Sequence, residues 1–171
     1  MIGVSDRVFL IGPMGAGKTT VGKRLARALR RRFVDCDHEL EKRTGVTIPL
    51  IFEIEGEAGF RAREKRVVEE LTRESGIVLA TGGGAVLDPD SRGCLHARGL
   101  VVYLHAPVEL LAARTRNDSN RPLLKAADRT QTLRNLMQQR EPLYREIADL
   151  VVDTGKLNLA EIVSTIRNGM Q

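Results

Sequence analysis

The sequence predicts an α/β fold, a five-stranded parallel sheet with helices on both faces, and three observations predict it. Short apolar runs occur at residues 8–11, 33–35, 77–80, 100–104 and 150–152. Runs that are apolar at neighbouring positions, rather than at alternate ones, mark strands covered on both faces. Stretches with helical periodicity lie between them, so strand and helix alternate along the chain. No repeat, low-complexity tract or linker interrupts the series, and a single domain over residues 1–171 is expected.

The elements follow in order. The run at 8–11 ends in Gly12, and from Thr19 onward Val21, Leu25, Ala28 and Leu29 recur at helical spacing. After the second strand, residues 48–54 and 60–71 read as helices, the latter with Phe60, Glu64, Val67, Val68 and Leu71 along one side. The third strand, 77–80, runs into Gly82-Gly83-Gly84. A short helix over 90–98 is entered through Asp88-Pro89, and another over 108–114 starts after Pro107. Residues 117–120 hold no apolar side chain and read as a loop. A long helix over 129–147, the last strand and a closing helix over 159–166 complete the chain.

Composition narrows the function classes. At 171 residues, with 42% apolar and 29% charged, the chain suits one well-buried globular domain. Trp is absent and aromatics reach only 4%, so the core must be built from Val, Leu, Ile and Ala. No apolar run is long enough to cross a bilayer and nothing resembles a signal peptide, so a cytoplasmic protein without membrane partners is expected. Cys36 and Cys94 form no metal-type spacing with His38, His96 or His105, which argues for two free thiols and against structural zinc. The net charge of +5 would fit nucleic acid, but the arginines fall in separate groups at 27–32, 61–66 and 114–121, with Arg140 beyond. Surplus cations distributed in this way suit a small molecule carrying phosphates and a carboxylate better than a polyanion.

Gly12-Pro13-Met14-Gly15-Ala16-Gly17-Lys18-Thr19 fits G-x-x-x-x-G-K-[ST] between a strand and a helix. Glycines let the backbone curl so that successive N–H groups enclose phosphate oxygens, and the positive end of the following helix adds to the attraction. Gly12, Gly15, Ala16, Gly17, Lys18, Thr19 and Thr20 are therefore the candidate ATP-phosphate site. Lys18 would bridge the β- and γ-phosphates, and the Thr19 hydroxyl would ligate Mg²⁺.

Other constellations surround this motif. Asp35 and Asp37 follow the second strand, at the end where open α/β sheets bind ligands. One would serve a metal and the other a substrate hydroxyl; alternatively Asp37 caps a helix starting near His38. Arg61 and Glu64, three apart on a helix, form either a solvated ion pair or a carboxylate-gripping arginine oriented by its neighbour. Gly82, Gly83 and Gly84 suggest a backbone that a ligand approaches closely. Arg114, Arg116 and Arg121 bracket a polar loop suited to closing over a nucleotide, or to lying solvated on the surface. Arg140 lies in a long helix, where an isolated arginine is ordinarily surface.

The ordered segments GPMGAGKTT, FVDCDHELEKRTG, IFEIEGEAGFRAREKRV, LATGGGAV, RPLL and QREPLYREIAD resemble the shikimate kinase family over nearly the whole chain. The resemblance implies a P-loop, nucleoside-monophosphate-kinase-like fold with a substrate-binding helical region near 37–64 and a lid near 115–128. It implies transfer of the ATP γ-phosphate to the 3-hydroxyl of shikimate, in aromatic amino-acid biosynthesis; a monomer is expected, although the sequence itself does not reveal the oligomeric state. It also implies that Asp37, Arg61, Gly83 and Arg140, with Gly82 and Gly84 beside them, contact shikimate, and that Glu64 orients Arg61. Thr19 and Asp35 would serve Mg²⁺, Lys18 and Arg121 the transferring phosphate, and Arg114 the adenine. The sequence departs from the family pattern at Pro49-Leu50 and in the loop 154–158, which lacks an expected arginine and proline.

Overall fold

The structure is a computed structural model that describes residues 5–118 and 128–171. Its five strands are β1 (Arg7–Ile11), β2 (Arg32–Asp35), β3 (Ile77–Ala80), β4 (Leu100–His105) and β5 (Leu150–Asp153). All neighbours pair in parallel in the order β2-β3-β1-β4-β5. Central β1 is flanked by β3 and β4 in the registers Phe9–Leu79 and Phe9–Val101. Val8 to Ile11, Ile77 to Leu79 and Val101 to Leu104 have no exposed surface, as strands covered on both faces require.

The helices are α1 (Lys18–Leu29), α2 (Cys36–Thr44), α3 (Ile48–Leu71), α4 (Pro89–Arg98), α5 (Val108–Arg114), α6 (Arg129–Ile147) and α7 (Leu159–Gly169). Helix α1 packs with α7, and α4 packs with both α3 and α6, so the two groups cover the sheet separately. Close contact at α1 depends on Gly22, because a Cβ there would overlap the Phe33 ring. Local chemistry sets the helix starts. The side chains of Thr47, Asp88, Asp128 and Asn158 each accept a backbone N–H of the first turn. Among the described residues, no helix is long and apolar enough to cross a membrane.

Three features differ from the sequence reading. The helices expected at 48–54 and 60–71 form one element, α3, broken at Gly56, whose φ of 72° no other residue type adopts readily. Residues 36–44 form a full helix, α2, and a single 3₁₀ turn at Ala85–Leu87 follows the glycine triplet. The closing helix continues to Gly169.

Because all strands are parallel, their carboxyl ends lie along one edge. The loop after β1, Asp35 at the end of β2, and the glycines after β3 therefore meet there. The chain leaves β1 toward β2 and β3 on one side and later supplies β4 on the other. The loop after β1 thus opens at the point where the strand order reverses, the usual ligand crevice of such sheets.

Candidate active site

The loop between β1 and α1 is built on left-handed glycines, with φ of 146° at Gly12, 84° at Gly15 and 98° at Gly17. A Cβ on Gly12 would lie 2.6 Å from the Leu104 carbonyl oxygen, and one on Gly15 would lie 2.9 Å from Thr115 Cγ2. Gly17 caps α1 without a side chain, so the helix presents its first N–H groups and its positive end to whatever the loop encloses. The Lys18 ammonium donates to the carbonyls of Gly12 at 2.6 Å and Pro13 at 2.8 Å, which folds it across the loop. A cleft of about 180 Å³ opens here, with Lys18, Thr19, Thr20, Asp35, Asp37 and Arg114 among its walls. It adjoins a wider cleft of about 560 Å³ along β2 and α2, and Thr19, Asp35, Asp37 and Asp118 line both.

Asp35 divides its two oxygens. Oδ2 accepts from the Thr19 hydroxyl at 3.0 Å, and Oδ1 accepts the His38 N–H at 3.1 Å, capping α2. The cap is thus Asp35 and not Asp37: the helix starts at Cys36, two residues earlier than an Asp37 cap would place it, and Asp37 sits in its first turn. Thr19 and Asp35 together make an all-oxygen donor pair suited to a hard cation such as Mg²⁺. No cluster of three or more potential His, Cys, Asp or Glu ligands occurs among the described residues. A cation at this pair would complete its shell from phosphate and water oxygens.

On the other side of the glycine triplet, Arg61 Nη1 donates to Glu64 Oε1 at 2.9 Å, and Nη2 reaches Glu57 at 3.4 Å. Glu64 is 4% exposed, which removes the solvated-pair reading. Burial pushes its carboxyl above the ordinary range, against the pull of Arg61. Arg140 is 3% exposed, although its helix position reads as surface; burial lowers its pKa, opposed chiefly by Tyr144. Among the described residues, Glu64 Oε2 and the Nε atoms of Arg61 and Arg140 are buried without a hydrogen-bond partner, so polar capacity converges here.

Each glycine of the triplet faces a different group. A Cβ on Gly82 would lie 2.7 Å from Glu64 Oε2 and 3.1 Å from Asp37 Oδ1. One on Gly83 would lie 3.4 Å from both Arg140 Nη1 and the Met14 nitrogen, and one on Gly84 would strike the Arg61 guanidinium. The backbone at 82–84 therefore lies between the phosphate-binding loop and a cluster of Arg61, Arg140, Glu64 and Asp37 side chains. Thr81 anchors this backbone, its N–H and hydroxyl both donating to the Leu10 carbonyl of β1.

The shikimate kinase family model matches residues 14–171. The chain belongs to the shikimate kinase family. Among family members, the shikimate kinase of Aromatoleum aromaticum is 56% identical over 96% of this chain and 94% of its own length. That of Bordetella pertussis is 58% identical over 96% of this chain and 78% of its own. The shikimate kinase from Acinetobacter baumannii in complex with shikimate superposes with a TM-score of 0.93 at 51% identity, covering 95% of this chain and 91% of that one. A gluconokinase from Sinorhizobium meliloti superposes with a TM-score of 0.65 at 20% identity over 98% of this chain and 93% of its own, a likeness of fold alone.

Within this family framework, the structure brings Lys18, Thr19, Asp35, Asp37, Arg61, Glu64, Gly82, Gly83, Gly84 and Arg140 to one region. Arg114 lies beside the loop, donating to the Gly15 carbonyl at 3.1 Å and to the Thr154 hydroxyl and carbonyl at 3.3 Å. Arg121 and most of the expected lid, residues 119–127, lie outside the described residues. The sequence reading missed Tyr144 and Thr154. Tyr144 donates to the Gly83 carbonyl at 2.5 Å, and its signal was its place one helical turn after Arg140.

Proposed function

We infer that the chain transfers the γ-phosphate of ATP to the 3-hydroxyl of shikimate, producing shikimate 3-phosphate for aromatic amino-acid biosynthesis. The observation that carries this reading is the convergence of Asp37, Arg61 and Arg140 on one glycine wall, whose other side is the phosphate-binding loop. Shikimate carries a carboxylate and ring hydroxyls, which suits two arginines and an aspartate.

The residues divide the work as follows. The backbone N–H groups of the loop and Lys18 hold the β- and γ-phosphates, with Thr20 at the start of α1 beside them. Arg61, held by Glu64, and Arg140 grip the carboxylate with planar forks, while Gly82, Gly83 and Gly84 let the ring approach the main chain. Asp37 orients the attacking hydroxyl and accepts its proton late, because a loose phosphoryl-transfer transition state demands little base strength. Thr19 and Asp35 would hold Mg²⁺, which when bound neutralises phosphate charge. In the same reading Arg114 serves the adenine and Arg121 the transferring phosphate. Rate enhancement then comes chiefly from alignment and from preorganised positive charge. The same reading makes the protein a cytoplasmic monomer of one domain, with a substrate-binding region near 37–64 and a lid near 115–128.

A coupled assay of ADP release, run with shikimate, with gluconate and without acceptor, tests this. Turnover that depends on shikimate is expected. Turnover with gluconate alone, or equal ADP release in all three reactions, would overturn it.

A further inference from the structure

We propose that Tyr144 is a positioning residue that sets the spacing between Gly83 and Arg140 and so the place of the acceptor's carboxylate. The inference rests on the reading of Gly83 and Arg140 as acceptor-binding groups.

Three observations carry it. The Tyr144 hydroxyl donates to the carbonyl of Gly83, the middle residue of a segment with no side chains of its own to hold it. Among the described residues, the neighbouring carbonyls of that segment bond only locally, Gly82 accepting from Ala85 and Gly84 from Leu87. Second, Tyr144 has no exposed surface, and its ring stacks on fully buried Tyr103 of β4 with centroids 5.0 Å apart and planes at 25°. The sheet therefore fixes where the hydroxyl lies. Third, Arg140 stands one turn earlier on the same helix, with Pro142 between them. Pro142 has no N–H to give the helix ladder, so α6 is weakened there and an outside tether gains importance. The same phenol supports the Arg140 charge against burial. One hydroxyl thus ties the glycine wall, the sheet and the buried arginine to a common position.

Tyr144→Phe keeps the ring and its stack and deletes only the hydroxyl, leaving the partly buried Gly83 carbonyl without this donor. A loss of this kind corresponds to roughly a tenfold rise in the KM and Kd for shikimate, with the KM for ATP changed less than twofold. Tyr103→Phe, which leaves the Gly83 bond in place, should keep both affinities. In an Arg140→Lys background Tyr144→Phe should add little further loss, since both changes act on one group. Unchanged shikimate affinity in Tyr144→Phe, equal weakening of both substrates, equal loss in Tyr103→Phe, or additive losses in the double variant would each overturn the proposal. Arg140→Lys separates the two layers. If that variant binds shikimate normally, the underlying reading of the pocket fails; if it binds weakly while Tyr144→Phe binds normally, only the role of Tyr144 fails.

Discussion

The guanidinium of Arg61 lies against the α-carbon of Gly84, so closely that a methyl group there would stand 2.5 Å from Cζ. The obstruction is the far end of a flexible side chain rather than backbone, so the fold can absorb it by moving Arg61. Gly84→Ala should therefore fold and keep its affinity for ATP while losing about tenfold or more in shikimate affinity, the scale of one misplaced charged hydrogen-bonding group. Calorimetric titration with each substrate checks this, and an unaltered shikimate isotherm would count against it.

Glu64 predicts a pH effect of definite sign. Its native carboxyl is held above the ordinary value of 4.5 by burial. The native state then binds the proton more readily than the unfolded chain. This contribution to stability is present at low pH and is lost as pH rises from about 4.5 through the raised value. Glu64→Gln lacks this titration, so the stability of the parent relative to the variant should fall between pH 4.5 and 7. Urea unfolding of both proteins at the two pH values measures it; the same difference at both would refute the assignment.

Lys18 folds across the phosphate-binding loop through two carbonyls and is only partly buried. Lys18→Ala should leave the circular dichroism spectrum intact and lower turnover by roughly 10², the scale of one preorganised donor. Turnover at the parent rate would remove Lys18 from the chemistry.

Arg114 bridges the Gly15 carbonyl to Thr154, joining the loop to the segment after β5. Arg114→Ala should raise the KM for ATP about fivefold, from loss of these bonds, and leave that for shikimate unchanged. A rise confined to shikimate would contradict this placement.

Much of the fold was legible because its signals are local. The glycines and lysine of residues 12–19 report directly on backbone conformation and phosphate chemistry, and the buried strands appear as uninterrupted apolar runs. Helix α2 was harder to read: of its nine residues only Cys36 and Leu40 are buried, which leaves almost no apolar stripe. Asp37 offered a cap two residues after Asp35, which is the actual cap, and only the end of β2 decides between them. Gly56 separates two apolar segments of α3, so reading them as two helices reflected a real break in the axis. The burial of Arg140 was not legible at all. It arises from Gly83 and Tyr144, groups brought together by the parallel sheet, and nothing in the helix's own polar sequence announces it.

The wall at Gly82, Gly83 and Gly84 has a consequence for inhibition and resistance. Any replacement of these residues adds a β-carbon that meets Glu64 and Asp37, Arg140 and the loop, or Arg61. A competitor that rests on this stretch of main chain touches atoms that no mutation can alter in kind. The escape routes left to the protein, swelling one of these positions with a side chain, run through its own substrate contacts. Variants selected against such a compound should therefore arise elsewhere in the pocket or carry a cost in growth on media lacking aromatic amino acids.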